Sequence, residues 1–260
     1  EVMGIDQKVE MNSVIETETL VKSSDEETTL LSVSYTRLMI ETISPNAAFS
    51  FDTKDPADQP GIDYLRSLIG KPFQVSINHR GEITEISGLK KVMEQIISEV
   101  DTTSGVFENF KNTIKVFFEK EQIKNTLAQM IPVYTEKSIS KGDSWHYSIN
   151  SRTGQFEFLS SNTAKVIEIK QDIVILQIDS KVSIPEDRSM NLQGLNAFVN
   201  LSGTEMAELR IDPETGITTH GIKKQNIKAI LLLDMSDRDQ ENIEIPMKIS
   251  TSTEASVIFL

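Results

Sequence analysis

Three histidines, His79, His146 and His220, are the chain's only imidazoles. A three-histidine metal centre would need all of them to converge, and no two share one element at ligand spacing, so turn or surface histidines is the favoured reading. The absence of cysteine removes thiolate nucleophiles, disulfides and thiolate-bound zinc. Ser138 to Lys141 spells S-x-x-K, but it runs into a loop glycine and has no downstream S-D-N or K-T-G partner. Asp234, Asp237, Asp239 and Glu241 could gather around calcium, as could Asp52, Asp55 and Asp58. Neither group has the residue order of a calcium loop, so both read as solvated turns. With 39 acidic residues in the chain, chance carboxylate pairs are guaranteed, and spacing cannot single out an acid–base pair. Phosphate-cradling glycine loops and nucleophile elbows are missing as well. We expect no catalytic residue, no metal and no cofactor.

What remains is apolar and aromatic. Phe107, Phe110, Ile114, Phe117 and Phe118 recur at helical spacing and form one stripe. Four of the chain's eleven phenylalanines fall in this stretch, each worth about 1.5–3 kcal/mol when buried. Such a stripe either caps a sheet as plain core or lines a cavity. On the second reading Phe107, Phe110 and Phe117 bind an apolar ligand, together with Trp145, the sole tryptophan. The competing reading of Trp145 is a core plug at a strand start.

The elements that must position these residues follow from periodicity. Val92, Met93, Ile96, Ile97 and Val100 suggest one short helix, the phenylalanine stripe a second, and Ile123, Leu127 and Met130 a third that Pro132 ends. β-patterned sequence lies on each side. Val9, Met11 and Ile15 alternate. Leu31, Val33 and Tyr35 alternate too, then slip phase near Thr36 and Arg37, which predicts a bulge. Asn78-His79-Arg80-Gly81 and Asp212-Pro213-Glu214-Thr215-Gly216 read as hairpin turns. Val75, Ile77, Ile83 and Thr84 match Leu209, Ile211, Ile217 and Thr218 at equal spacing, which predicts an internal duplication.

The expected fold is therefore α+β and mainly antiparallel β, with two similar β-meander halves packed around a central helical segment. Residues 1–88 form the first half, 89–131 the helical segment and 132–260 the second half, within one shared core. The net charge of −13 argues against nucleic acid and against an anionic membrane surface. No apolar run approaches the roughly eighteen residues of a transmembrane helix. The chain opens at Glu1 without a start methionine, so a preceding segment is expected.

Lys141-Gly142-Asp143-Ser144-Trp145 resembles the entry into the second β half in an uncharacterised family of exported Bacteroidetes-type proteins. Pro132 before it, the Asp212 to Gly216 hairpin after it, and Gly70 to Phe73 ahead of Gly81 to Ile83 fit the same pattern. The resemblance implies export, either to the periplasm or to the outer membrane on a lipid anchor. A curved sheet with packed helices is also similar in outline to periplasmic lipoprotein carriers. The expected function is a non-enzymatic envelope protein binding an apolar small molecule, a lipid or a lipidated envelope partner between sheet and helices. A ligand-free interaction module is the alternative, and a hydrolase-type enzyme the least favoured.

Overall fold

A computed structural model describes residues 7–44, 47–55, 65–99, 120–128, 131–153, 156–184, 189–192, 195–234 and 242–259. Its strands are β1 (Gln7–Ser24), β2 (Thr28–Ser44), β3 (Ala47–Asp52), β4 (Phe73–Asn78), β5 (Ile83–Ser87), β6 (Ser144–Thr153), β7 (Phe156–Ile169), β8 (Val174–Ser183), β9 (Ser189–Leu192), β10 (Leu195–Ile211), β11 (Thr218–Leu233) and β12 (Ile243–Phe259). Among the described residues two helices accompany them, α1 (Leu89–Glu99) and α2 (Lys120–Ala128). All twelve strands join one sheet in the order β5-β4-β2-β1-β12-β11-β10-β8-β7-β6, with β3 added to β2 and β9 to β10.

This arrangement corrects the expected α+β fold of two meanders around a central helical segment. The first and last strands pair in parallel, from Gln7 opposite Met247 to Thr19 opposite Phe259. That seam fuses the halves into one mixed sheet. The strands are long because apolar residues hold one phase over many residues, as Val174, Leu176, Ile178 and Val182 do on β8. The two helices are short and sit on one flank. Val92 and Ile96 of α1 and Ile123 and Leu127 of α2 join the cluster of Leu31, Val33, Phe73 and Val75. The phenylalanine stripe, and with it the second expected helix, lies outside the described residues. Among the described residues no helix is long and apolar enough to cross a membrane.

The local expectations fare better. The bulge falls at Thr36, because Glu16 pairs with Arg37 and Thr17 with Tyr35. Both matched hairpins form. Asn78 accepts backbone N–H bonds from Arg80 and Glu82 through Oδ1, and Asp212 accepts one from Glu214 in the same way. Their surroundings differ, however. The β4–β5 hairpin ends the sheet, whereas β10 and β11 lie inside it, so the halves are not equivalent in place.

The sheet bends back on itself. Helix α2 touches both β5 and β6, the two ends of the strand path, and so spans the gap between them. The segment after α2 ties in the hairpin turns. The Tyr134 N–H donates to the Arg80 carbonyl at 2.8 Å, and its hydroxyl donates to the Gly216 carbonyl. Gly81 has φ +79°, and a Cβ there would overlap the Pro132 carbonyl oxygen.

On β1–β2–β3, Arg37 holds Asp52 through two hydrogen bonds of 3.0 and 2.6 Å and Glu16 through one of 3.2 Å, while Lys54 reaches Glu16 at 2.7 Å. The Arg37 guanidinium depresses the Asp52 carboxyl, and Lys54, then Arg37, depress Glu16.

Two measurements follow. Gly81→Ala should lower the unfolding free energy by about 2 kcal/mol or more, because left-handed strain adds to overlap. Gly142→Ala, at φ +93° but with open space around it, should cost about 1–2 kcal/mol from strain alone; equal losses in urea melts would contradict the packing at Gly81. Depressed carboxylates contribute stability above their unfolded pKa values and lose it as pH falls through the folded ones. Arg37→Met should therefore flatten the fall in stability between about pH 5 and pH 2. Parallel wild-type and variant curves would contradict that role.

Candidate functional site

The register of the ladders places one polar row across the inner face. Tyr147 on β6 pairs with Asn162 on β7, and Asn162 with Ser180 on β8. Ser180 then pairs with Glu205 on β10, Glu205 with Gln225 on β11, and Gln225 with Thr251 on β12. Paired residues in a ladder project to the same face, so six polar side chains stand side by side. Apolar clusters flank the row on both sides. Ala164, Ile178, Ala207 and Leu209 lie toward one end of the strands, and Val182, Leu201 and Ala229 toward the other.

Glu205 anchors the row. Its carboxylate accepts from the Lys223 ammonium at 2.6 Å and from the Gln225 amide at 3.3 Å. The side chains of Glu205 and Lys223 are only 11% and 18% exposed, so each charge depends on the other for compensation. Gln225 accepts in turn from the Thr251 hydroxyl at 3.3 Å, and Ser13 and Thr253 share a hydrogen bond at 2.9 Å one row further on. Burial, with the Glu205 carboxylate beside it, pushes the Tyr147 phenol above its ordinary range. The Ser180 hydroxyl is buried and has no hydrogen-bond partner. Leaving such a group unpaired costs about 1–3 kcal/mol.

Two chambers open from this row. One, of about 280 Å³, runs from Ala128, Ile131 and Pro132 to Phe158, Val182 and Ile227. The other, of about 300 Å³, lies among Ile15, Tyr35, Leu38, Phe51 and Leu68. Lys223 and Gln225 line both. A small residue helps make the space: Ala207, two positions from Glu205 on β10, lines the first chamber, where a bulkier side chain would fill the hollow. Gly203, on the other side of Glu205, instead lets β11 approach, since a Cβ there would overlap the Asn226 carbonyl oxygen. Each chamber is near the lower size of a small-molecule site, and each is mostly apolar with a few convergent polar groups. A larger hollow of about 780 Å³ opens where His146, Thr163, Lys181, Met206 and Lys224 lie. Most of its side chains are exposed, and a broad open surface of this kind is a poorer binding site than the chambers.

The residues singled out from the sequence lie elsewhere. Phe107, Phe110 and Phe117 are outside the described residues. Trp145 starts β6, half-buried. Its indole N–H donates to the Val133 carbonyl at 2.7 Å, and its ring packs on the cluster of Ala164, Val166 and Leu176. The three histidines sit apart, on the β4–β5 turn, on β6 and on β11. His146 shares a hydrogen bond with Thr163 at 2.9 Å, and His220 lies 4.0 Å from Glu254. Ser138 to Lys141 lies in the loop before β6. Asp52 is held by Arg37; Asp58, Asp237, Asp239 and Glu241 are outside the described residues. Among the described residues no three metal-binding side chains gather. Sequence reasoning missed Glu205, Lys223, Gln225 and Ser180. One signal was present: Ser180 interrupts the apolar phase of Ile178 and Val182, and Glu205 that of Leu201 and Leu209.

The model of one protein family, described as a family of unknown function (DUF6263), matches residues 26–218. No curated protein and no solved structure matches the chain. The family match takes in the first hairpin, both helices, the Trp145 strand start and β10 with Glu205. It agrees with the resemblance to an uncharacterised family. The chain belongs to the DUF6263 family of unknown function.

Proposed function

We propose that this is a non-enzymatic binding protein that holds an apolar small molecule or lipid between the curled sheet and the helices. The observation that carries this reading is the pair of adjoining chambers sharing Lys223 and Gln225. Apolar walls supply affinity through area removed from water, and a few fixed polar groups orient the ligand. Phe107, Phe110 and Phe117 lie outside the described residues, and their share in ligand binding is proposed from the sequence alone. Trp145 supports the wall from behind through its bond to Val133. The proposed location is outside the cytoplasm, in the periplasm or on the outer membrane. That part rests on the family resemblance, and a lipidated envelope protein is the proposed source or recipient of the cargo.

Native mass spectrometry of protein purified gently from its own source, followed by organic extraction, tests the binding. A stoichiometric adduct of lipid-like mass is expected. Ala128→Phe and Ser151→Phe, both at half-buried positions facing the first chamber, should remove at least about 90% of it, a loss of about 1.4 kcal/mol, while leaving the unfolding midpoint near that of the wild type. A clean apo mass, or an adduct unchanged in both folded variants, would overturn the reading.

A further inference from the structure

We infer that the ligand is a net-neutral amphiphile with two apolar arms, whose polar linkage sits at Glu205, Lys223 and Gln225. This rests on the binding function just proposed and names its ligand class. Three observations lead there. First, the charges at the centre already cancel. Glu205 and Lys223 meet at 2.6 Å in a largely buried setting. A fatty acid's carboxylate would compete with Glu205 for Lys223 and leave one carboxylate uncompensated, and a long-chain amine would do the converse. In low dielectric either excess charge is costly. A neutral head leaves the pair intact.

Second, the row offers hydrogen bonds that nothing in the protein uses. The Ser180 hydroxyl is buried without a partner, between Ile178 and Val182 on the same face of β8. It stands opposite Glu205 in the ladder. Ser180 lines neither chamber, so an ester, amide or hydroxyl oxygen at the junction would accept instead from the donors that line both, Lys223 and Gln225, without adding charge. Gln225, which already bonds to both Glu205 and Thr251, has a further amide proton to give.

Third, the apolar space divides on either side of this centre. The chamber toward Phe158 and Ile227 and the chamber toward Leu38 and Phe51 meet at Lys223 and Gln225. A single-chain ligand would fill one chamber and leave the other wet or empty. A ligand branched at its polar linkage fills both, with the linkage where the hydrogen bonds are. Diacylglycerol-type esters have this layout.

The test compares three probes on delipidated protein by competition against a bound fluorescent lipid: 1,2-dioleoylglycerol, oleate and oleylamine. The wild type should bind dioleoylglycerol at least about tenfold more tightly than either single-chain, charged probe, a difference of about 1.4 kcal/mol. Glu205→Gln leaves the Lys223 charge unpaired and should shift the preference at least about tenfold toward oleate. Lys223→Met leaves Glu205 unpaired and should shift it as far toward oleylamine. A wild type that prefers oleate or oleylamine overturns the inference but keeps the binding function, and so do folded variants that keep the wild-type ranking. If no probe binds, the binding function and the inference fall together. The wild-type ranking decides the matter even if one variant does not fold.

Discussion

The parallel ladder between β1 and β12 is the constraint on which the rest depends. It joins strands at opposite ends of the chain, with Val9 opposite Ile249 and Ile15 opposite Ala255. Without it the protein would be two sheets, each with a long, unpaired edge, a liability for aggregation. With it, the inner face runs unbroken from β5 to β6, and the second chamber gains walls from strands far apart in sequence. The cost is kinetic. Closing a contact that spans nearly the whole chain requires a large loop-closure entropy, which slows folding in sheets of this kind.

Curling follows from the same ladder and from the groups that span the gap. Strand twist accumulates over ten paired strands and brings the two ends of the path toward each other. Helix α2 lies between those ends, and Tyr134 links the turns of the two hairpins. The helices thus close a sheet that the strands have already shaped. Across the inner face, residue size and polarity do different jobs. Ala207 leaves room on β10, while Glu205, Lys223 and Gln225 keep that room from being uniformly greasy. A buried ion pair of this kind adds little net stability compared with a hydrophobic substitute of equal volume, and breaking it by removing one partner costs about 3–5 kcal/mol.

Much of the local structure was legible in the sequence. Period-two alternation located most strands, Asn78 to Gly81 and Asp212 to Gly216 located two turns, and the phase slip at Thr36 located a bulge, because each depends on near neighbours. The seam was not legible. A strand's alternation says which face is apolar and nothing about which partner it takes, and β1 reads the same whether its neighbour is β2 alone or β12 as well. The weight placed on the helical segment had the same origin: helical periodicity is conspicuous in a single sequence, whereas a continuous sheet is visible only after pairing. The polar row was hidden for a related reason. Glu205 is one of 39 acidic residues, and only the register sets it beside Lys223, Gln225 and Ser180. The interrupted apolar phase on β8 and β10 was the one trace of it.

Amide hydrogen exchange, resolved by residue, tests the seam most directly. If β1 and β12 are interior strands, amides from Glu10 to Thr19 and from Met247 to Val257 should exchange as slowly as those of β10 and β11, since their ladders open only with the sheet. Exchange along those two stretches at the rate of the edge strands β5 and β6 would mean that the halves are not joined, and the second chamber would go with the seam.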